Sequence, residues 1–213
     1  MSAKKSLHLA LLVTLLSLSG VVSASATPIT ILNGSFENGT MVNPGGFDTL
    51  TAGDTSIDDW TISAGTIDYI GGYWEAADGD RSLDMNGISQ GFIQQAITVP
   101  FDGNVRIDFS MAGNPDDLNK IKHLTVSLKN PDQVFTFDAT GKGHQTMGWV
   151  NKYAVFTGVT AGAWTLEFQG GVNEAQYGPA LDNISASVPD GGTTAALLGL
   201  AMTGLGLIRR MRA

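Results

Sequence analysis

Between residues 27 and 187 apolar residues recur at every second position in a series of runs, and turn signals keep those runs too short for anything but strands. Arg106-Ile107-Asp108-Phe109-Ser110-Met111 alternates polar with apolar; Leu124, Val126 and Leu128 repeat the pattern, as do Trp164, Leu166 and Phe168. Phe92, Ile97 and Val99 mark another run, and Ala154 to Val159 and Leu181 to Ala186 complete the set. Alternating side chains occupy opposite faces of a strand, whereas a helix needs a 3.6-residue stripe that no window of about 11 residues sustains here. Asn33-Gly34, Asn38-Gly39, Gly71-Gly72, Asn86-Gly87, Asp102-Gly103, Asn130-Pro131 and Gly170-Gly171 separate the runs. The pattern predicts about ten short strands in an all-β antiparallel sandwich, a jelly roll in its simplest form. No internal repeat or second domain interrupts it.

The two ends follow a different rule. Lys4 and Lys5 precede an apolar run, Leu7 to Leu18, and Ala24 and Ala26 then stand in the A-x-A spacing that signal peptidase reads. Residues 1–26 therefore form a secretory signal peptide, cut after Ala26. A retained anchor helix is the alternative, and the run is short for one. At the other end, Val188-Pro189-Asp190-Gly191-Gly192 precedes an apolar stretch over 193–208, followed by Arg209, Arg210 and Arg212. A helix over 193–208 would be about 24 Å long, a little short of a bilayer's hydrocarbon core of about 30 Å, and it lacks the polar face of a soluble helix. The arginines would stay cytoplasmic as a stop-transfer cluster, leaving the domain on the outer side of the inner membrane.

That C-terminal layout resembles the PEP-CTERM class of bacterial sorting signals, in its VPDSG-type form with Gly191 in place of the serine. The resemblance covers residues 188–212 and implies handling by an exosortase, a membrane transpeptidase. The protein would be transiently anchored, then released or attached to the cell surface or an extracellular matrix.

The remaining segment, 27–187, holds 19 of the 20 acidic residues and 7 of the 12 basic ones, a net charge of −12. An acidic domain disfavours nucleic acid and other polyanions as partners. Cys is absent, which removes disulfides, thiolate metal sites and cysteine nucleophiles. There is no H-E-x-x-H helix, and within 27–187 only His123 and His144 occur. A carboxylate-pair hydrolase could draw on Glu75, Glu167 or Glu174, but any acidic β protein offers such pairs. The expectation is a non-enzyme.

Several blocks carry a second resemblance: Ile31-Leu32-Asn33-Gly34-Ser35-Phe36-Glu37, Ile57-Asp58-Asp59-Trp60, Thr66-Ile67-Asp68-Tyr69-Ile70, Asp80-Arg81-Ser82-Leu83-Asp84-Met85-Asn86-Gly87, Ile93-Gln94-Gln95, Met111-Ala112-Gly113-Asn114, and Tyr177 through Ser185. In this order they resemble the choice-of-anchor C family, which is similar to the plant domain-of-unknown-function 642 group. The resemblance implies a galactose-binding-like jelly roll of the kind shared by many carbohydrate-binding modules. It also implies a structural Ca²⁺ between Glu37 and Asp182; the alternative is a carboxylate pair satisfied by Lys, Arg or backbone N–H groups. Asp78, Asp80 and Asp84 are spaced partly like a calcium loop but lack its distal glutamate, so they read as a solvated turn. Asp58-Asp59 and Asp116-Asp117 read as exposed turn charges.

A sugar ring presents C–H groups on one face, so an exposed aromatic beside polar side chains is what binding requires. Tyr73 and Trp74 in a glycine-rich loop, Trp149, and Tyr177 are the candidate platform. Trp60, Trp164, Tyr69 and Phe36 read as core. The sequence thus favours an exported matrix or envelope protein that binds exopolysaccharide; the rivals are a structural protein with protein partners and, third, a glycan hydrolase.

Overall fold

The computed structural model describes residues 26–174 and 176–189; the expected signal peptide and the expected membrane helix over 193–208 lie outside them. Twelve strands form two antiparallel sheets. The larger sheet holds β1 (Thr27–Ile29), β2 (Phe47–Thr51), β4 (Thr66–Ile70), β5 (Ser82–Asp84), β7 (Gly103–Gly113), β10 (Val150–Val159) and β12 (Pro179–Val188), in the order β10-β7-β12-β5-β4-β2 with β1 added beside β12. The smaller sheet has the order β3-β6-β11-β8-β9, from β3 (Thr61–Ala64), β6 (Phe92–Val99), β8 (Ile121–Ser127), β9 (Gln133–Asp138) and β11 (Gly162–Gln169). No described residue is helical, as the period-two pattern requires.

The alternation positions the core. Val105, Ile107, Phe109 and Met111 of β7 face Leu124 and Val126 of β8 and Leu166 and Phe168 of β11, all buried. An aromatic chain crosses between the sheets: Phe36 to Trp60 at 5.4 Å, Trp60 to Phe168 at 6.3 Å, Phe168 to Phe109 at 5.7 Å and Phe109 to Phe135 at 5.1 Å, centroid to centroid. Tilted and edge-on contacts of this kind suit the ring quadrupoles. Trp60, Tyr69 and Phe36 are core residues, whereas Trp164 is half-buried at the core's margin, its Nε1 donating to the Thr160 carbonyl.

β12 is paired on both sides. β7 runs along one side, while β5 and then β1 share the other. Between those partners, at Asn183 (φ 50°), the ladder with β7 shifts register, and Ile184 N–H donates instead to the Gly34 carbonyl at 2.8 Å. A Cβ on Gly34 would lie 2.2 Å from the Ile184 carbonyl oxygen, so this close backbone approach requires glycine. Asn33 beside it bonds Asn38 in both directions and the Asp58 carbonyl, tying the entry loop to the turn before β3. β12 ends at Val188, paired with Thr27, so the folded unit extends to Pro189 and includes the first two residues of the expected sorting segment.

Asp84 lies in the sheet rather than on the turn where sequence spacing placed it. Asp84 is wholly buried in β5, accepting from Asn86 N–H, Gly178 N–H and the Asn114 side chain, and so belongs to no calcium-type loop. Asp116 and Asp117 do lie on the turn after β7, where Asp117 pairs with the buried Lys122 at 2.6 Å and Asp116 accepts from Tyr73. Burial pushes the Asp84 and Asp182 carboxyls up to about 7, against the pull of their donors. The folded domain therefore keeps protons that the unfolded chain releases as pH rises from about 4 to about 7. Stability falls across that window, by about 1.4 kcal/mol per pKa unit for each group. The urea midpoint should be higher at pH 5 than at pH 8, and Asp182→Asn should flatten that difference; midpoints that do not move with pH would contradict it.

Candidate functional site

The loops at one end of the sandwich are held by carboxylates acting on backbone N–H groups. Glu37 Oε1 accepts from Asp80 N–H at 3.0 Å and Arg81 N–H at 2.8 Å. Asp182 Oδ2 accepts from Ala77 N–H at 2.8 Å and Asp78 N–H at 2.9 Å, and its Oδ1 from Asn183 N–H at 2.6 Å. The two residues thus grip opposite ends of one turn, 77–81. Gly79 at its centre has φ 68° and leaves no room for a Cβ beside the Glu37 carboxylate. Arg81 completes the clamp by donating to the Gly39 carbonyl and to the Tyr69 hydroxyl, which itself donates to the Phe36 carbonyl.

This arrangement bears on the expected calcium. Ca²⁺ needs six to eight oxygens turned toward it. The groups turned toward these carboxylates are N–H donors. The residues present do not fit a cation held by Glu37 and Asp182; the bonding is that of the backbone-satisfied alternative.

Beside the clamp lies an open groove of about 720 Å³ between segments 37–46, 71–81 and 144–149. Met41, Pro44 and an edge of Trp74 supply its apolar surface, while Glu75, Arg81 and Gln145 supply polar groups. Glycines build its wall: Gly71 and Gly72 donate to the Gly46 and Pro44 carbonyls, packing two loops backbone to backbone. Glu75 joins the third segment through three of its groups. Its N–H donates to the His144 carbonyl, its Oε1 accepts from Met147 N–H at 2.7 Å, and its carbonyl accepts from Trp149 Nε1 at 2.9 Å.

The four aromatics expected as a platform separate. Trp74 is 3 % exposed, with Nε1 donating to the buried Ser82 hydroxyl at 2.9 Å; it floors the groove and cannot offer a ring face. Trp149 is half-buried and held by Glu75. Tyr73 stacks with His144 at 4.4 Å and edge-on with Phe47 at 5.1 Å. Its hydroxyl donates to Asp116 at 2.7 Å, and both Asp116 oxygens lie 3.0 Å from His144 Nε2. Burial, then the Asp116 bond, pushes the Tyr73 phenol up to about 12, and the charge of nearby Tyr177 adds to the shift. Tyr177 is exposed. Phe47, Tyr73, His144 and Asp116 therefore make one aromatic and polar patch next to the groove.

Sequence spacing missed Phe47, Asp116, His144, Arg81 and Gln145, which reach this end from separate loops. It also missed Tyr153, an exposed aromatic on the outer face of β10 with the Arg106 guanidinium 3.9 Å from its ring centroid. The three glutamates considered for hydrolysis share no hydrogen-bond partner. Glu75 joins loops, Glu167 accepts from Ser63 and Gln169, and the buried Glu174 binds His123 at 2.6 Å. Among the described residues no group of three or more His, Asp or Glu is arranged for a metal.

A family model described as "Protein of unknown function (DUF642)" matches residues 29–187, and the VPDSG-CTERM motif matches residues 187–212. That motif indicates an exported protein sorted to the cell surface. No curated protein matches the chain. Similar solved structures include a family 16 carbohydrate-binding module (14 % identity, 73 % of this chain and 97 % of the other, TM-score 0.46). Family 35 modules from Paenibacillus barcinonensis (18 %, 65 % and 97 %, TM-score 0.44) and Clostridium thermocellum (20 %, 67 % and 98 %, TM-score 0.44) are further ones.

Two outcomes are expected from this geometry. Trp74→Ala should cost about 3–5 kcal/mol of stability, as loss of a core indole does, and a near-neutral effect in urea titrations would return Trp74 to the surface. EDTA should leave the thermal midpoint of the wild type unchanged, while Glu37→Ala lowers stability by about 1–3 kcal/mol through the two freed N–H groups. A midpoint that drops on chelation would restore the metal.

Proposed function

Because the chain belongs to the DUF642 family of proteins of unknown function, membership assigns it no activity, and we propose from the geometry that its domain binds carbohydrate at the groove between segments 37–46, 71–81 and 144–149. The observation that carries this is the groove's mixed lining. Met41, Pro44 and the Trp74 edge suit the C–H face of a sugar ring, and the polar groups at its rim suit hydroxyls: Arg81 as donor, Glu75 as acceptor, Gln145 as either. Its volume of about 720 Å³ accommodates more than one ring, the Phe47–Tyr73–His144 patch extends the contact along a chain, and Tyr177 adds an exposed aromatic. The loops are fixed before any ligand arrives by the Glu37, Asp182 and Glu75 bonds, which limits the ordering cost of binding.

Sorting to the surface supplies the setting. Signal peptidase and an exosortase process the ends, a helix over 193–208 holds the chain in the inner membrane until then, and the released domain meets the cell's own exopolysaccharide. Individual contacts of this kind are weak, and density on the surface raises the avidity.

Affinity electrophoresis of the 27–189 domain through gels containing the producer's exopolysaccharide or other glycans tests the reading. Retardation by at least one glycan is expected, and Gln145→Ala and Tyr177→Ala should each weaken it about tenfold while changing stability by no more than about 0.5 kcal/mol. Unchanged mobility in every gel would leave a structural matrix protein instead.

A further inference from the structure

The sorting motif begins inside the folded domain. Val188, its first residue, is the last residue of β12 and is 1 % exposed, with its side chain packed against Gly103, where an added Cβ would lie 3.2 Å from Val188 Cγ1. The registered pairs with β7 end at Ser187↔Arg106, so the strand partner of Val188 is Thr27. β1 makes three pairs with β12: Thr27↔Val188, Pro28↔Ser187 and Ile29↔Ala186. Thr27 is also the residue that follows the expected signal-peptidase cut. The two processing sites therefore lie side by side, on neighbouring strands.

An enzyme that reads a peptide motif takes it as an extended segment whose backbone groups and side chains are available. Val188 offers neither while this end of the fold is closed, its backbone paired with Thr27 and its side chain against Gly103. We propose that β1 is a clasp over the sorting motif: the exosortase gains the Val188 end of the motif only when the β1–β12 end opens, so C-terminal processing is gated by local opening of the fold. The clasp is built to open. It is three residues long, Pro28 at its centre has no N–H to give to the ladder, and only Ile29 among its side chains is buried. Short terminal pairings of this kind open far more often than the whole domain unfolds. β12 above Ser187 stays held by β7 on one side and by β5 and Gly34 on the other, so opening frees the motif without dissolving the sheet.

The inference rests on the reading that the motif is processed, and the test separates the two. The chain has no cysteine, so Pro28→Cys with Ser187→Cys places one disulfide across a registered pair. Full-length protein would be followed in the producing cell by the mass shift of C-terminal processing, with the pair oxidised or kept reduced. Processing of the oxidised form should be at least tenfold slower than that of the reduced form. In the same double variant, inserting Val-Gly-Ser-Gly-Ser between Ser187 and Val188 keeps a valine in the strand and carries the motif clear of it; oxidation should then have no effect. Equal rates for oxidised and reduced protein without the insert would overturn the clasp alone. A wild-type chain never shortened at its C-terminus would overturn the sorting reading and the clasp with it.

Discussion

The double-sided pairing of β12 is the constraint on which the rest of this domain depends. A strand hydrogen-bonded along both edges must find β7 on one side and β5 and β1 on the other. Those partners come from the beginning and the middle of the chain, so the larger sheet closes only when the C-terminal segment arrives. Such non-local pairings exact their loop entropy before they reward it. The register shift near Asn183 follows from the same demand. Where β12 passes from β5 to β1 it lacks a strand partner, and the Gly34 carbonyl fills the place.

The same strand carries the polar group that organises the loops. Asp182 lies in the sheet with its side chain buried, and it is tolerated there because three backbone N–H groups converge on it. Two of them belong to the turn 77–81, whose other end is held by Glu37 from the loop after β1. The carboxylates thus convert an acidic, glycine-containing turn into a rigid wall of the groove. Buried acids oppose folding at neutral pH, and the domain tolerates that cost in exchange for fixed loops. Glu75 does the equivalent for the segment 144–149 at the surface, where water makes its charge inexpensive.

Much of this was legible before any coordinates. Period-two runs such as Arg106–Met111 and Trp164–Phe168 lie within β7 and β11, and the inward set of each strand is the apolar one. Trp60, Tyr69 and Phe36 were readable as core because strand or block context surrounded them. Trp74 was not: a glycine-rich loop and a neighbouring tyrosine look the same whether the indole turns outward or, as here, inward to Ser82. Asp84 looked like a turn charge because its partners, Asn114 and Gly178, are brought to it by strand pairing and loop packing rather than by spacing.

The sequence by itself determined the strand periodicity, the acidity of the chain and the sorting motif near its C-terminus, because each of these is carried by neighbouring residues. Only the tertiary structure decided which loops meet, which carboxylates accept from backbone N–H groups, which aromatics stay at the surface, and that Val188 is both strand and motif. Those outcomes depend on residues far apart in the chain sharing one desolvated place, and no local pattern records which of them will do so.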